Sequence, residues 1–299
     1  MIDLAVIPVA GRGTRLLPLT KSQPKEMLPV AGKPVVQYVV EELIRSGVHR
    51  MLFVTGAGKT AIENHFDVDY ELIDSLRETG KEDLLAELAF EREDAEYFYM
   101  RQRRQLGLGH AVLCAEPFVR GQCFVVALGD SIIGLGSESK IVRRMTALFE
   151  KNRDVQGIIA FEEVPREEVF QYGIALPKTP SKTAGGDFFE LEDLIEKPSV
   201  EEAPGNLAVA ARYVFSPEIF EYLRKTQPGK GGEIQLTDAI RAMIHDRKKI
   251  LGVHLAANET RYDIGNFESY FTAFTEFALA DPTCGPAVKK HLQKLLTRF

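Results

Sequence analysis

The sequence predicts an α/β fold organised on a parallel sheet, and three observations carry that reading. Val6, Ile7 and Val9, then Arg50-Met-Leu-Phe-Val54, then Cys123-Phe-Val-Val-Ala-Leu128 are short apolar runs of the kind that strands covered on both faces require. Between the first two, Val35, Tyr38, Val39 and Leu43 recur at helical spacing after Pro34, and Gly47 supplies a stop. Strand, helix and strand in that order make a right-handed β-α-β unit with parallel strands. Third, glycines and polar residues follow the strands directly, at Gly11 to Gly13 and at Gly129-Asp-Ser131. Ligands of open α/β sheets gather at such carboxyl ends.

The remaining elements follow in order. Asp69 to Glu96 is strongly charged, with Leu72, Ile73, Leu76, Leu84, Leu85 and Leu88 at helical intervals on either side of Gly80, and reads as two solvent-facing helices. Tyr97 to Met100 resumes strand character, and Gly107 to Ala111 opens a helix. A helix over Ile141 to Phe149 leads to the strand Gly157 to Phe161, and Pro177 to Asp187 is expected as an exposed loop. Tyr172-Gly173 precedes a short strand, Leu194 to Pro198 ends another, and Ala208 to Phe215 is a further strand with Pro217 opening a helix. Pro228 to Gly232 is a loop before a helix for which Thr237 and Asp238 are candidate caps. The stripe Phe267, Tyr270, Phe271, Phe274 and Phe277 reads as core, with an oligomer interface as the alternative.

Composition bounds the function. The 299 residues are 45% hydrophobic, enough for a large core. A net charge of -6 excludes an extended nucleic-acid surface, which needs a basic excess to displace counterions, so any polyanion bound is small and locally held. Cys114, Cys123 and Cys284 form no CxxC pair and are expected as buried thiols in a reducing compartment. The N-terminus has Asp3 in place of a basic leader segment and no run approaches a membrane span, so a cytoplasmic protein is expected.

The chemistry concentrates in Ala5 to Pro29. Gly11 and Gly13 allow positive φ and turn backbone N–H groups toward one point, while Arg15 and Lys25 add full charges, which makes a cradle for an anion. A dinucleotide fingerprint would need glycine where Leu16 stands. Gly56-Ala-Gly-Lys-Thr60 imitates a P-loop, but Phe53 occupies the place of its first glycine, and Lys59 is expected as a surface or helix-start lysine. Gln102 is either a polar strand end or an amide for a nucleobase edge, and His110 is expected to be structural. Asp130 is either a metal or substrate ligand or a helix N-cap. Glu196 and Lys197 are either a sheet-edge pair or a ligand-facing one, and Asp263 is a second loop acid beside Gly265.

Read together and in order, Gly11-Arg-Gly-Thr-Arg15, Pro24-Lys-Glu-Met-Leu-Pro29, Ile62-Glu-Asn-His-Phe66, Gly107 to Ala115, Glu196-Lys-Pro198, Glu233 to Ile240 and Asp263-Ile-Gly-Asn266 resemble the bacterial UTP:glucose-1-phosphate uridylyltransferases, a branch of the sugar nucleotidyltransferase family. The resemblance spans almost the whole chain. It implies a Rossmann-like nucleotidyltransferase domain with a mixed, mostly parallel central sheet flanked by helices. One domain over 1–299 is expected, with a nucleotide-binding half at about 1–135 and a sugar-binding half with the C-terminal helices at about 136–299.

The resemblance also implies roles. Ala10, Gly11, Gly13, Glu26, Gln102 and Gly107 would approach the nucleotide, and Arg15 and Lys25 its phosphates. Gly173 and Glu196 would contact sugar hydroxyls, Lys197 the sugar phosphate, and Asp130 with Asp263 a magnesium ion. UTP and glucose 1-phosphate are the implied substrates, with no nucleic acid or membrane partner, in a homo-oligomer, either a dimer or a tetramer. Arg12, Gly129 and Ser131 depart from the family pattern beside the phosphates and metal and bear on substrate choice. The rivals are a thymidylyltransferase of the same fold, a non-catalytic sugar-nucleotide sensor and a P-loop kinase.

Overall fold

Strand β1 (Leu4–Pro8) divides its side chains between two cores: Leu4 and Val6 face one, Ala5 and Ile7 the other, and all four are buried. Period-two alternation with both faces covered is why the run is apolar throughout. The structure, a computed structural model, describes residues 2–178 and 188–298. After β1 come the short hairpin of β2 (Pro29–Val30) and β3 (Lys33–Pro34), then α1 (Val35–Arg45), β4 (Arg50–Thr55), α2 (Thr60–Phe66), α3 (Tyr70–Glu78) and β5 (Glu96–Arg101). Next are α4 (Leu108–Cys114), α5 (Glu116–Val119), β6 (Phe124–Ala127), β7 (Ser131–Ile133), α6 (Ile141–Lys151), β8 (Val155–Glu163), β9 (Gly173–Pro177), β10 (Phe188–Glu196) and β11 (Leu207–Phe215). The chain closes with α7 (Ile219–Lys225), α8 (Leu236–His245), β12 (Lys249–His254), β13 (Arg261–Asp263), α9 (Phe267–Ala280) and α10 (Gly285–Leu296).

Nine strands form one sheet in the order β5-β4-β1-β6-β11-β8-β12-β10-β9. It is mixed. Its first four strands pair in parallel, as does β8 with β12, and antiparallel pairing enters wherever β10 or β11 takes part. Only those two strands run against the rest, so the sheet is mostly parallel in direction. One face packs on α4, α7 and α8, the other on α1, α2 and α6. A third cluster joins Leu16, Leu28 and Val30 to Tyr262, Ile264, Tyr270 and Phe277, so α9 braces the loops after β1. Helix α9 starts in a capping box, with Asn266 accepting from the Ser269 amide at 3.0 Å and Ser269 Oγ accepting in return at 3.3 Å.

Several local expectations are corrected. Glu82–Arg92 forms 3-10 turns without a buried residue, because its leucines make no stripe that a core could cover. Thr237 and Asp238 lie inside the first turn of α8, whose N-cap position is Gln235. Cys284 is exposed and the other two thiols are half-buried, since each lies at the margin of an element. The aromatic stripe of α9 divides: Tyr270 and Phe277 are buried, whereas Phe271 and Phe274 are exposed. The loop expected at Pro177 to Asp187 falls, for residues 179–187, outside the described residues. Among the described residues no helix is long and apolar enough to cross a membrane.

Candidate active site

A cleft of about 830 Å³ lies over the sheet, and every residue expected at the site lines it. The loop after β1 forms one wall. Gly13 has φ 66°, as the anion cradle requires, and Thr20 Oγ1 donates to its carbonyl at 2.8 Å. Gly11 does not use positive φ, contrary to expectation. What its missing side chain leaves is space: an added Cβ would meet only the far end of Lys25, at 3.7 Å. Gln105 reaches across this loop, donating to Ala10 O at 2.8 Å and accepting from Arg12 Nε at 2.6 Å.

Glu26 and Lys59 explain each other. Lys59 stands at the start of α2 as one alternative held, yet it is buried, and its Nζ donates to Glu26 Oε2 at 2.7 Å. Burial pushes the Glu26 carboxyl up, against the pull of Lys59 and Lys25. Gln102 is also buried. Its amide nitrogen meets His110 Nδ1 at 2.9 Å and Gly107 O at 3.2 Å, which leaves its carbonyl oxygen as the group that could accept from a ligand in the cleft. His110 is thus structural, as expected. Gly107 has φ 103°, and a Cβ there would stand 2.7 Å from Ile234 O.

Asp130 occupies the turn between β6 and β7, and the N-cap alternative falls because a strand follows. Lys25 Nζ donates to its Oδ2. Burial alone would raise the Asp130 pKa, but the Lys25 ammonium brings it below the usual carboxylate range. Asp263 lies opposite Ser131 in the β7–β13 pair, accepts from Ser131 Oγ at 3.2 Å, and has its pKa raised by burial and by the charge of Asp130. Ile264 N donates to Asp130 O at 2.9 Å, which ties the two acidic loops together.

The other wall carries the second half of the expected set. Gly173 pairs with Glu196 across β9 and β10, and a Cβ on Gly173 would stand 3.4 Å from Glu196 Oε2 and 3.2 Å from Thr237 Oγ1. Lys197 adopts φ 46° just past the strand, donates its N–H to Tyr172 O at 2.9 Å and places Nζ 3.2 Å from Glu196 Oε1. The left-handed residue is what turns both side chains of adjacent positions onto one wall. Arg261, missed by the sequence reading, links the walls. Its guanidinium lies 4.7 Å from the Tyr172 ring centre and pairs with Glu162, and it shares the cleft with Asp263. No local signal in the sequence marks it, because β13 is only three residues long.

Two carboxylates whose loops are tied together and which line one cleft offer oxygen donors suited to a hard divalent cation. Among the described residues no third His, Cys, Asp or Glu completes a metal cluster, so substrate oxygens would supply the remaining ligands.

The nucleotidyl transferase family profile matches residues 4–279. A UTP–glucose-1-phosphate uridylyltransferase of Bacillus subtilis is 40% identical over 294 residues, covering 98% of this chain and 97% of the relative. A Methanocaldococcus jannaschii protein, given the same name provisionally, is 47% identical over 276 residues, covering 92% of this chain and 93% of its own. The solved UTP-bound UGPase from Acinetobacter baumannii superposes with a TM-score of 0.88 at 37% identity, covering 99% of this chain and all (100%) of that one.

Proposed function

The chain belongs to the nucleotidyl transferase family, among the UTP–glucose-1-phosphate uridylyltransferases, and we propose that it joins UTP to glucose 1-phosphate in this cleft, giving UDP-glucose and pyrophosphate. One observation carries the reading: a single cleft has Lys25, bonded to Asp130, on one side and Lys197, whose N–H is held by Tyr172 O, on the other, with Asp263 and Arg261 lining it as well and Ile264 N tying the Asp263 loop to Asp130 O. The two cationic ends are what two phosphate-bearing substrates need, and the acids between them mark where they meet.

Arg15 and Lys25 neutralise the triphosphate, Lys197 holds the sugar phosphate, and Glu196 with the Gly173 backbone takes the sugar hydroxyls. The Gln102 carbonyl accepts the uracil imide N–H, with Glu26, Ala10 and Gly107 closing around the base. A phosphate oxygen of glucose 1-phosphate attacks the α-phosphorus; that P–O bond forms as the bond to the β-phosphate bridging oxygen breaks. The nucleophile is already an anion, so the residues contribute alignment and charge rather than a general base. Asp130 and Asp263 would hold the divalent cation the family uses, magnesium in this reading, which when bound spreads the charge building on the phosphates.

The nucleotide half at about 1–135 and the sugar half at about 136–299 then act as one domain. Exposed Phe271 and Phe274 support the homo-oligomer, and a cytoplasmic location is part of the same reading. Pyrophosphate release by the purified protein, with magnesium, across nucleoside triphosphates and sugar 1-phosphates tests it. Release confined to UTP with glucose 1-phosphate is expected. Preference for dTTP would make the chain a thymidylyltransferase, and UDP-glucose binding without release would make it a sensor.

A further inference from the structure

Arg212 is fully buried (0% exposed) in the middle of β11, where every neighbour in the strand is also buried. It pairs with Glu42 of α1, with Nη2 and Nε at 2.6 and 3.1 Å from one carboxylate oxygen. Nη2 also donates to Ser131 O at 2.9 Å, and Nη1 to Ala211 O at 3.2 Å. Those two carbonyls belong to the surroundings of the acidic turn. Leu128 N, at its start, donates to the same Ala211 O at 3.1 Å, and Ser131 ends it. Between them Gly129 packs so tightly that a Cβ would stand 2.5 Å from Val9 Cγ1.

A buried ion pair is seldom more stable than apolar residues of the same volume, so stability alone gives little reason for a guanidinium here. Its planar fork, by contrast, fixes several acceptors at once. Ala211 adopts φ 59° in the irregular stretch of β11, where the register against β8 shifts. Both Ala211 and Ser131 line the cleft.

We propose that Arg212, oriented by Glu42, is a positioning residue that clamps the Leu128–Ser131 turn from beneath and so sets Asp130 against Asp263 for divalent-cation binding. It acts through the Ser131 and Ala211 carbonyls and touches no substrate. The proposal rests on the metal-assisted uridylyl-transfer reading above.

The test uses Mn²⁺ as probe, titrated into protein saturated with UDP-glucose and read from the electron paramagnetic resonance of the free ion. UDP-glucose binding in EDTA is measured alongside by calorimetry. Arg212→Lys keeps the charge but loses the fork; it is expected to weaken Mn²⁺ binding about tenfold or more, with metal-free UDP-glucose binding within about twofold of the unaltered protein. Glu42→Leu combined with Arg212→Met removes the pair without leaving a lone charge, and should give the same split. Unchanged Mn²⁺ affinity in either folded variant, an equal loss of both affinities, or loss of the fold in both variants would overturn the proposal. Asp130→Asn serves as reference: if it leaves Mn²⁺ binding intact, the metal assignment fails and Arg212 is not the cause.

Discussion

Lys25 Nζ donates directly to Asp130 Oδ2, joining residues 105 positions apart in sequence, so the cation proposed for the phosphates and the carboxylate proposed for the metal neutralise each other in the cleft. In the proposed reaction substrate and metal would part them, and each would then carry charge in the transition state. Lys25→Ala and Asp130→Ala are each expected to lower kcat about a hundredfold or more, equivalent to about 3 kcal/mol. Because the two act on one charge distribution, the double variant should lose less than the product of the singles. Steady-state kinetics on the three proteins measures this, and near-normal turnover in either single variant contradicts the roles.

The buried Lys59–Glu26 pair should behave as a unit of stability. Lys59→Met leaves Glu26 without its partner and is expected to destabilise the protein by about 3–5 kcal/mol. Adding Glu26→Gln should recover most of that loss, because no uncompensated charge remains. Chemical denaturation of both variants decides the matter; equal stability of single and double variants would mean that the pair is not coupled.

Two glycines in the cleft separate loop geometry from ligand approach. Gly107→Ala forces a Cβ against Ile234 O from a positive φ, so it should displace the loop and lower both thermal stability and UTP affinity. Gly11→Ala meets only ordinary contact with Lys25, so its melting temperature should stay within about 2 °C while the KM for UTP rises. Parallel behaviour of the two variants would remove the distinction.

Acid stability should depend on Glu259. It is buried, and its carboxylate accepts from the backbone N–H groups of Lys140 and Ala256 at 2.7 and 2.8 Å, from Ser139 Oγ at 3.0 Å and from Arg144. Burial alone would raise its pKa, but the backbone N–H groups and Arg144 hold it below its ordinary value of 4.5. A depressed pKa stabilises the fold above the unfolded value and loses that contribution as pH falls through the folded one. Glu259→Gln should therefore cost about 2 kcal/mol near neutrality, and the gap from the unaltered protein should narrow below pH 4.5. A gap that does not change with pH would contradict this.

The parts of the fold legible in sequence are those with a repeating local signal. The apolar runs of β1, β4 and β6 and the helical spacing of α1 needed only their own residues to be read. The three-residue strands β7 and β13 are too short for such a signal, although their pairing brings Ser131 and Asp263 together. Buried charges were the larger gap. Lys59 reads as a surface or helix-start residue, and Arg212 was invisible because its partner Glu42 lies 170 positions away. At the site, Lys25, Glu196, Lys197 and Asp263 were expected from family motifs and Asp130 from its strand-end position and the resemblance, and all five line the cleft. Gln105 and Arg261 have no local motif, and their placement comes from tertiary pairing with Ala10, Arg12 and Glu162.

In the proposed reaction both substrates lie in one cleft and react directly, without a nucleotidylated enzyme between them. The stereochemical course at phosphorus tests it: UTP carrying sulfur in one configuration at the α-phosphate is converted with glucose 1-phosphate, and the configuration of the UDP-glucose formed is read by phosphorus NMR. A single in-line displacement gives inversion, which is the expected result. Net retention would require two displacements through a covalent intermediate and would rule out direct transfer between the two substrates.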